Sequence, residues 1–119
     1  DAMVSIHADG SDPSAHGFHV IHPGHVPGYT YGIVEPSAAL ATALRDRVVA
    51  AGFTPATYLG KEGLVQRTDL GTLNRAGVPA VMLESGNMRN AADLALLRSP
   101  DGQQRLADAM AAALVTFLG

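Results

Sequence analysis

The run Pro79-Ala80-Val81-Met82-Leu83-Glu84 constrains the fold of this chain more than any other segment. Four apolar residues stand in succession, a carboxylate follows, and the next three residues, Ser85-Gly86-Asn87, have the composition of a turn. A continuous apolar run of this length is typical of a strand buried on both faces, as in parallel sheets that helices cover. Residues 79–84 are therefore predicted to form an inner strand that carries Glu84 at its carboxyl end.

The first residues of the chain predict another strand of this kind. Residues from Ala2 to His7 are mostly apolar or β-branched, and residues 8–14 are dense in turn formers, so His7 also ends a strand. The segment reads as a strand already under way, without a cap or a polar lead-in. We therefore expect that the N-terminal part of the domain is absent from this chain.

Residues 17–22 predict a further strand, which follows the first after about nine residues. A parallel crossover needs about a dozen residues or more, so these two strands are expected to be antiparallel or not direct neighbours. Residues 23–36 contain three prolines and three glycines and predict an irregular loop. Residues 53–77 are interrupted by glycines and predict a loop with room for one short helical turn or strand.

Two segments carry apolar residues at helical spacing, one from Ser37 to Ala51 and one that opens at Ser99-Pro100-Asp101. Asn90 predicts the cap of a short helix over 91–97, with Asp93 as its box partner. Together with the buried strands, these helices indicate an α/β fold with a mixed, mostly parallel sheet flanked by helices. The two apolar stripes are Leu40, Leu44, Val48 and Ala51, and then Leu106, Met110, Leu114 and Phe117.

Length and composition limit the classes of function. A chain of 119 residues is enough for one domain, and 47% hydrophobic with 16% charged residues can close a core. The net charge of −3, with eight scattered Lys and Arg residues, argues against binding of nucleic acid. No apolar run reaches the roughly 18 to 20 residues that span a bilayer. The lack of cysteine excludes disulfides and thiolate ligands, but it leaves the compartment open.

His7 and Glu84 are the residues that predict chemistry. In open α/β sheets, ligands bind outside the carboxyl ends of the strands, where both residues are expected. A neutral imidazole is a common metal ligand, and a poorly solvated carboxylate has the raised pKa that suits a general acid or base. The pair suggests metal-assisted hydrolysis. Position alone also allows a hydrogen-bonded structural role for His7, and an ion-pair or capping role for Glu84.

Two segments resemble the zinc-dependent N-acetylmuramoyl-L-alanine amidases. Val4-Ser5-Ile6-His7-Ala8-Asp9-Gly10 resembles the SIHA strand of that family, and residues 79–90 resemble its PAVLVE-x-G-xx-x-N segment. The two matches stand in the order of the family, and the similarity looks closest to mycobacterial and actinobacterial members. The resemblance covers essentially the whole chain, and it implies that residues 1–119 are the C-terminal half of one amidase catalytic domain.

The resemblance implies zinc-dependent hydrolysis of the N-acetylmuramoyl–L-alanine amide bond of peptidoglycan. The location implied is extracytoplasmic, in the periplasm or cell wall or as a secreted protein. His7 would bind Zn²⁺, and Glu84 would be the catalytic carboxylate. The other two ligands of the family have no counterpart here, so the chain alone is expected to bind zinc weakly or not at all. It is also expected to associate with the upstream half of the domain or with itself.

Two other functions stay open at this point. A domain of this kind can lose its metal site and remain as a metal-free regulatory module that binds peptidoglycan or a partner protein. A different zinc peptidase built on a similar sheet is the third possibility, although the context Glu84-Ser85-Gly86 fits the amidases better. Zinc analysis and a comparison of muropeptides with simple peptides would separate the three.

Arg67, Asn87 and Asp9 are the predicted substrate-binding residues. Arg67 lies where the family has an arginine-containing segment that borders the cleft, although an ion pair with Asp69 on the surface is an equal alternative. Asn87 could orient Glu84 or a substrate carbonyl, or it could be a plain turn residue. Asp9 could support His7 or simply begin the turn.

The four other histidines have no assigned role. His22 and His25 are expected at the solvated rim of the cleft rather than as metal ligands. His19 is either buried and hydrogen-bonded or faces the site, and His16 is expected to be exposed.

Overall fold

A computed structural model describes all residues from Asp1 to Gly119, which form one four-stranded sheet with helices packed against it. None of the helices combines the length and the apolar character that crossing a bilayer requires. In chain order the elements are β1 (Met3–Asp9), β2 (His19–Pro23), α1 (Val34–Ala50), β3 (Leu64–Arg67), α2 (Gly71–Asn74), β4 (Ala80–Asn87), α3 (Ala91–Arg98) and α4 (Pro100–Leu118).

The strands lie in the order β1-β4-β2-β3, so the apolar run that ends in Glu84 is an inner strand. β1 is parallel to β4, and β2 is parallel to β3, whereas β2 and β4 are antiparallel. This arrangement confirms the predicted α/β class with a mixed, mostly parallel sheet. β1 and β2 run in opposite directions and are separated by β4, as the short connection between them predicts.

The two faces of the sheet bury different clusters, because successive side chains of a strand point to opposite faces. One face packs against α1, and α4 lies against α1 and α3 on the same side. The other face carries a smaller cluster that ends at Met82, and polar residues follow it along the sheet. The larger cluster comprises Phe18, Val20, Leu40, Ala41, Leu44, Val48, Phe53, Val81, Leu83, Leu106, Ala109 and Ala113. The smaller one comprises Ile21, Leu73, Ala80 and Met82.

Local signals placed most helix ends correctly. Asn90 caps α3, and its side chain accepts a hydrogen bond from the Asp93 amide at 3.1 Å. Ser99 caps α4 and accepts from the amide of Gly102 at 2.9 Å. The predicted box at Asp93 is not completed, because its carboxylate accepts from the amides of Gly17 and Asn87 instead.

Other helix and strand boundaries differ from those that the sequence predicts. The helix predicted from Ser37 begins at Val34, and the stretch predicted as loop over 53–77 contains both β3 and α2. β1 and β4 are each longer than predicted at the carboxyl end, because their parallel pairing continues to Asp9 and Asn87 past an irregularity in the register.

Candidate functional site

Three polar residues lie side by side on three neighbouring strands. His7 on β1 is in register with Glu84 on β4, and Glu84 is in register with His19 on β2. Neighbouring strands are about 4.8 Å apart, and directly paired residues point to the same face of a sheet. We call His7, Glu84 and His19 the strand-end row. Because β2 is antiparallel to β4, its amino end meets the carboxyl ends of β1 and β4 here.

Glu84 is the half-buried middle member of the strand-end row. Its Oε2 atom is enclosed by protein and has no hydrogen-bond partner. Burial, and then the negative charge of Asp9, raise the pKa of the Glu84 carboxyl group, whereas the positive charges of His7 and Arg67 act to lower it. A carboxyl group with a raised pKa is suited to accept and return a proton near neutral pH.

His7 is exposed, and its Nε2 atom lies 3.1 Å from the Ser5 hydroxyl oxygen. An accessible imidazole is a chemically suitable zinc ligand, and a catalytic zinc site has three protein ligands. The chain holds no group of three or more His, Asp or Glu side chains arranged around a common metal position. The residues present therefore fit zinc only in part, with His7 as one suitable ligand.

His19 is only 2% exposed, and its Nδ1 atom is enclosed without a hydrogen-bond partner. The Tyr58 ring meets it edge-on, with 6.1 Å between ring centroids and an interplanar angle of 87°. Burial lowers the pKa of the His19 imidazole, while the charge of Asp9 acts in the opposite direction. His19 thus combines parts of both expectations: it is buried and it stands beside Glu84, but it lacks the hydrogen bond expected of a buried histidine.

Asp9 links the strand-end row to the loop that carries Tyr58. The Tyr58 hydroxyl donates to one carboxylate oxygen of Asp9 at 2.7 Å, and the Gly10 amide donates to the other at 2.8 Å. Burial and this hydrogen bond raise the pKa of the Tyr58 hydroxyl. Tyr58 is not among the predicted site residues, and no local signal could have paired it with a residue 49 positions away. Substrate contact by Asp9 stays a prediction.

Arg67 forms a two-pronged ion pair with Asp69, at 2.9 Å from Nε and 2.6 Å from Nη2. Both side chains are exposed to solvent. The positive charge of Arg67 nevertheless acts to lower the pKa of both Glu84 and His19. The ion pair that sequence offered as an alternative is therefore present, and substrate binding by Arg67 stays a prediction.

Asn87 is fully buried and fixes the loop that follows β1. Its Nδ2 donates to the carbonyl oxygens of Asp12 and Ala15 at 2.8 and 2.7 Å. Its Oδ1 accepts from the amides of Ser11 and Arg89, each at 3.0 Å. These four bonds use the whole capacity of the side chain. Substrate contact by Asn87 stays a prediction, which would require one of these bonds to be exchanged.

The remaining histidines lie away from the strand-end row. His22 is three residues from His19 on β2 and so points to the opposite face, where burial lowers its pKa. His25 is exposed beyond the carboxyl end of β2. Because β2 is antiparallel to β4, the carboxyl end of β2 lies away from Glu84, toward the amino end of β4. The expected position of His22 and His25 at the cleft rim is therefore wrong. His16 is exposed, as predicted.

Comparison with known proteins identifies a family that the chain matches. A family model described as N-acetylmuramoyl-L-alanine amidase matches residues 1–116. The N-acetylmuramoyl-L-alanine amidase Rv3717 of Mycobacterium tuberculosis is 41% identical over 118 residues, which are 99% of this chain and 48% of that protein. The chain thus spans about half the length of this relative.

Solved structures of mycobacterial amidases match the fold over the same extent. The N-acetylmuramyl-L-alanine amidase Ami1 from Mycobacterium smegmatis gives a TM-score of 0.90 at 44% identity, covering 99% of this chain and 54% of that chain. The apo form of Ami1 from Mycobacterium abscessus gives 0.91 at 45% identity, covering 100% of this chain and 55% of that chain. The chain therefore belongs to the N-acetylmuramoyl-L-alanine amidase family, in its actinobacterial type.

Proposed function

We propose that the protein containing this chain hydrolyses the amide bond between N-acetylmuramic acid and L-alanine in peptidoglycan, outside the cytoplasm. Residues 1–119 would be the C-terminal half of its catalytic domain. Membership of the amidase family supports this proposal. The observation that carries it is the strand-end row, in which a half-buried carboxyl group with a raised pKa stands in register with an accessible imidazole.

Glu84 is the residue that moves the proton in this mechanism. Its carboxylate accepts a proton from the attacking water as the water oxygen bonds to the carbonyl carbon. The same group then gives the proton to the L-alanine nitrogen as the carbon–nitrogen bond breaks. Burial supports both steps, because a raised pKa brings the protonated and ionised forms closer in free energy near neutral pH.

His7 would hold Zn²⁺ together with ligands from outside this chain, and a bound zinc ion would polarise the scissile carbonyl. The His7 ring suits this role because it is exposed and its only hydrogen bond, to Ser5, is easily exchanged for a stronger ligand bond. Peptidoglycan is the proposed partner of the assembled site.

A metal-free module that binds peptidoglycan or a partner protein is the second candidate. The two candidates differ in metal content. If the protein is a zinc-dependent amidase, elemental analysis of the full-length natural protein is expected to find about one zinc per molecule. A zinc content near zero, with intact binding to peptidoglycan and no turnover, would instead identify the binding module.

Replacement of Glu84 by Gln tests the proposed chemistry. In the longest natural form of the protein, Glu84→Gln is expected to lower kcat on a muropeptide by about 10²- to 10⁴-fold, the usual contribution of a general acid or base. Its zinc content should stay unchanged. Glu62→Gln, in an exposed loop, is the matched control and should keep kcat within about twofold. Turnover by Glu84→Gln within about tenfold of the parent would show that Glu84 does not move the proton.

A further inference from the structure

A cavity of about 200 Å³ lies on the face of the sheet that α1 covers, behind the strand-end row. Ser85 directly follows Glu84, and Phe18 directly precedes His19, so the side chains of Ser85 and Phe18 point to the opposite face from the strand-end row. The segment that follows α1 and the first two turns of α3 complete the walls. The cavity is therefore separate from the proposed catalytic groups, although it shares β4 with Glu84.

Ser85 brings to this cavity a hydroxyl group that has no partner in the protein. The residue is only 7% exposed, and its hydroxyl forms no hydrogen bond with another group of the chain. Unlike the enclosed Oε2 atom of Glu84, Ser85 lines a cavity that solvent can reach, because His16 and Thr54 at the same wall are exposed. A nearly buried polar group without a partner is uncommon, and it destabilises the fold unless a ligand or water pairs with it.

Asp93 gives the cavity a negative charge. Its Oδ2 atom accepts hydrogen bonds from the amides of Gly17 and Asn87, at 2.9 and 2.8 Å, whereas its Oδ1 atom accepts none. Asp93 takes part in no ion pair, and no lysine or arginine lines the cavity. The carboxylate is therefore fixed in place with one oxygen free, which favours a cationic hydrogen-bond donor and repels an anion.

The rest of the wall is apolar and sets the size of the ligand. Phe18, Phe53 and Leu96 supply the apolar surface. Arg105 packs over the Phe53 ring, but its charge is paired with Asp101 at 2.9 Å. A dry cavity of about 150 Å³ takes up a benzene-sized molecule. This cavity is larger, so it can hold a ring of that size together with one short polar group.

We propose that this cavity binds a small primary ammonium ligand whose apolar group has about the size of a benzene ring. An ammonium group has three N–H donors, and Asp93, Ser85 and Thr54 offer oxygen acceptors to them. The apolar group packs on the phenylalanine and leucine side chains. This binding goes beyond the proposed hydrolysis and does not depend on it, since no residue of the strand-end row lines the cavity.

Three probes test the inference on the full-length natural protein. Benzylamine is a cation at neutral pH, benzyl alcohol has nearly the same shape without the charge, and benzoate carries the opposite charge. NMR titration of the backbone amides measures the Kd of each probe and shows where it binds.

Two variants each remove one proposed contact. Asp93→Asn removes the charge but keeps an oxygen for the amides of Gly17 and Asn87, and Ser85→Ala removes the hydroxyl group. Asp108→Asn removes the same charge from an exposed position on α4 and serves as the control. Circular dichroism verifies that each variant is folded.

Benzylamine is expected to bind with a Kd in the millimolar range, as suits a ligand of this size, and to shift the amides of Ser85 and Asp93. Benzyl alcohol and benzoate should bind at least about tenfold more weakly, because neither offers a charged donor. Asp93→Asn should raise the Kd of benzylamine by about tenfold or more, and Ser85→Ala by about threefold to tenfold, the effects of one charged and one neutral hydrogen bond. Asp108→Asn should leave it within about twofold.

Equal affinity for benzylamine and benzyl alcohol would overturn the proposal, because the cavity would then bind apolar groups without selecting a cation. The absence of saturable shifts at Ser85 and Asp93 up to about 50 mM benzylamine would overturn it as well. So would an equal loss of affinity in Asp93→Asn and Asp108→Asn. If Asp93→Asn does not fold, Ser85→Ala and the comparison of the three probes decide.

Discussion

Burial of the Glu84 carboxyl group lowers the stability of the fold at neutral pH and, in the proposed function, favours proton transfer. Its enclosed Oε2 atom has no partner, and burial together with Asp9 raises the pKa of its carboxyl group. A raised pKa in the folded state means that folding favours the protonated form. The stability that Glu84 contributes is therefore present below its ordinary pKa and is lost as the pH rises through the raised value.

Glu84→Gln is accordingly expected to be more stable than the parent at pH 7, although its kcat is expected to be lower. The gain should shrink as the pH falls through the window just above the ordinary glutamate pKa, and it should vanish at about pH 4, where both proteins carry a neutral group. Urea unfolding of both proteins across this range measures the difference. A Glu84→Gln protein that is less stable than the parent at pH 7 would show that the carboxylate is stabilised in the fold.

At the scale of the element, the junction of α3 and α4 is tightly packed. Ser99 ends α3 and caps α4, and its hydroxyl oxygen accepts from the Gly102 amide. Gly102 is buried in the first turn of α4, where a Cβ atom would collide with the carbonyl oxygen of Leu96 and lie 2.7 Å from the Ser99 Oγ. The chain can therefore turn directly from one helix into the next only with glycine at this position.

Two glycine-to-alanine exchanges within helices should have opposite effects. Gly102→Ala is expected to destabilise the protein by about 1–3 kcal/mol, because the new methyl group forces the backbone apart. Gly71→Ala in α2 meets no atom within 4 Å and should stabilise the protein by about 0.4–1 kcal/mol, since alanine restricts the unfolded chain. Thermal unfolding of both variants measures the shifts. A Gly102→Ala protein with an unchanged or higher Tm would mean that the junction yields easily.

The elements also show what the sequence can and cannot predict. Buried strands and amphipathic helices have strong periodic signals, so β1, β4, α1 and α4 were predicted within a few residues. β3 and α2 have only four residues each and lie among glycines, so their local sequence signal is weak. β3 forms because it pairs with β2, and α2 forms because it packs against β2 and β4.

The same limit applies to the site. His7 and Glu84 could be predicted because both directly follow apolar runs and stand in motifs. The place of His19 beside Glu84 depends on the insertion of β4 between β1 and β2, and strand order has no local signature. The wrong prediction for His22 and His25 has the same origin. Both residues lie away from Glu84 because β2 is antiparallel to β4, and strand direction has no local signature.

At the scale of the whole molecule, β1 is an edge strand whose outer side has no strand partner within this chain. Ile6 on this strand is 61% exposed. An edge with unpaired backbone groups and an exposed apolar side chain is a template for pairing with a further strand. The partner expected from the proposed function is the remainder of the amidase domain or, for residues 1–119 alone, a second copy of the chain.

The isolated chain is thus expected to self-associate at micromolar concentration, and Ile6→Lys should shift it to a monomer because a charge at the edge opposes strand pairing. Light scattering coupled to gel filtration measures the mass. Val115→Lys replaces an apolar residue that is 72% exposed on α4, a helix that does not pack against β1, and should leave the association unchanged. A parent chain that is still monomeric at about 100 µM would contradict the prediction.

The bonds of Asn87 and Asp93 have a consequence for the order in which the molecule assembles. Asn87 reaches Ser11 across 76 positions, and Asp93 reaches Gly17 across the same separation. Contacts between such distant positions form slowly, because the chain must first lose the entropy of closing a long loop. During synthesis on the ribosome, the turn that follows His7 therefore cannot be fixed until Asn87, 76 positions after Ser11, has been made.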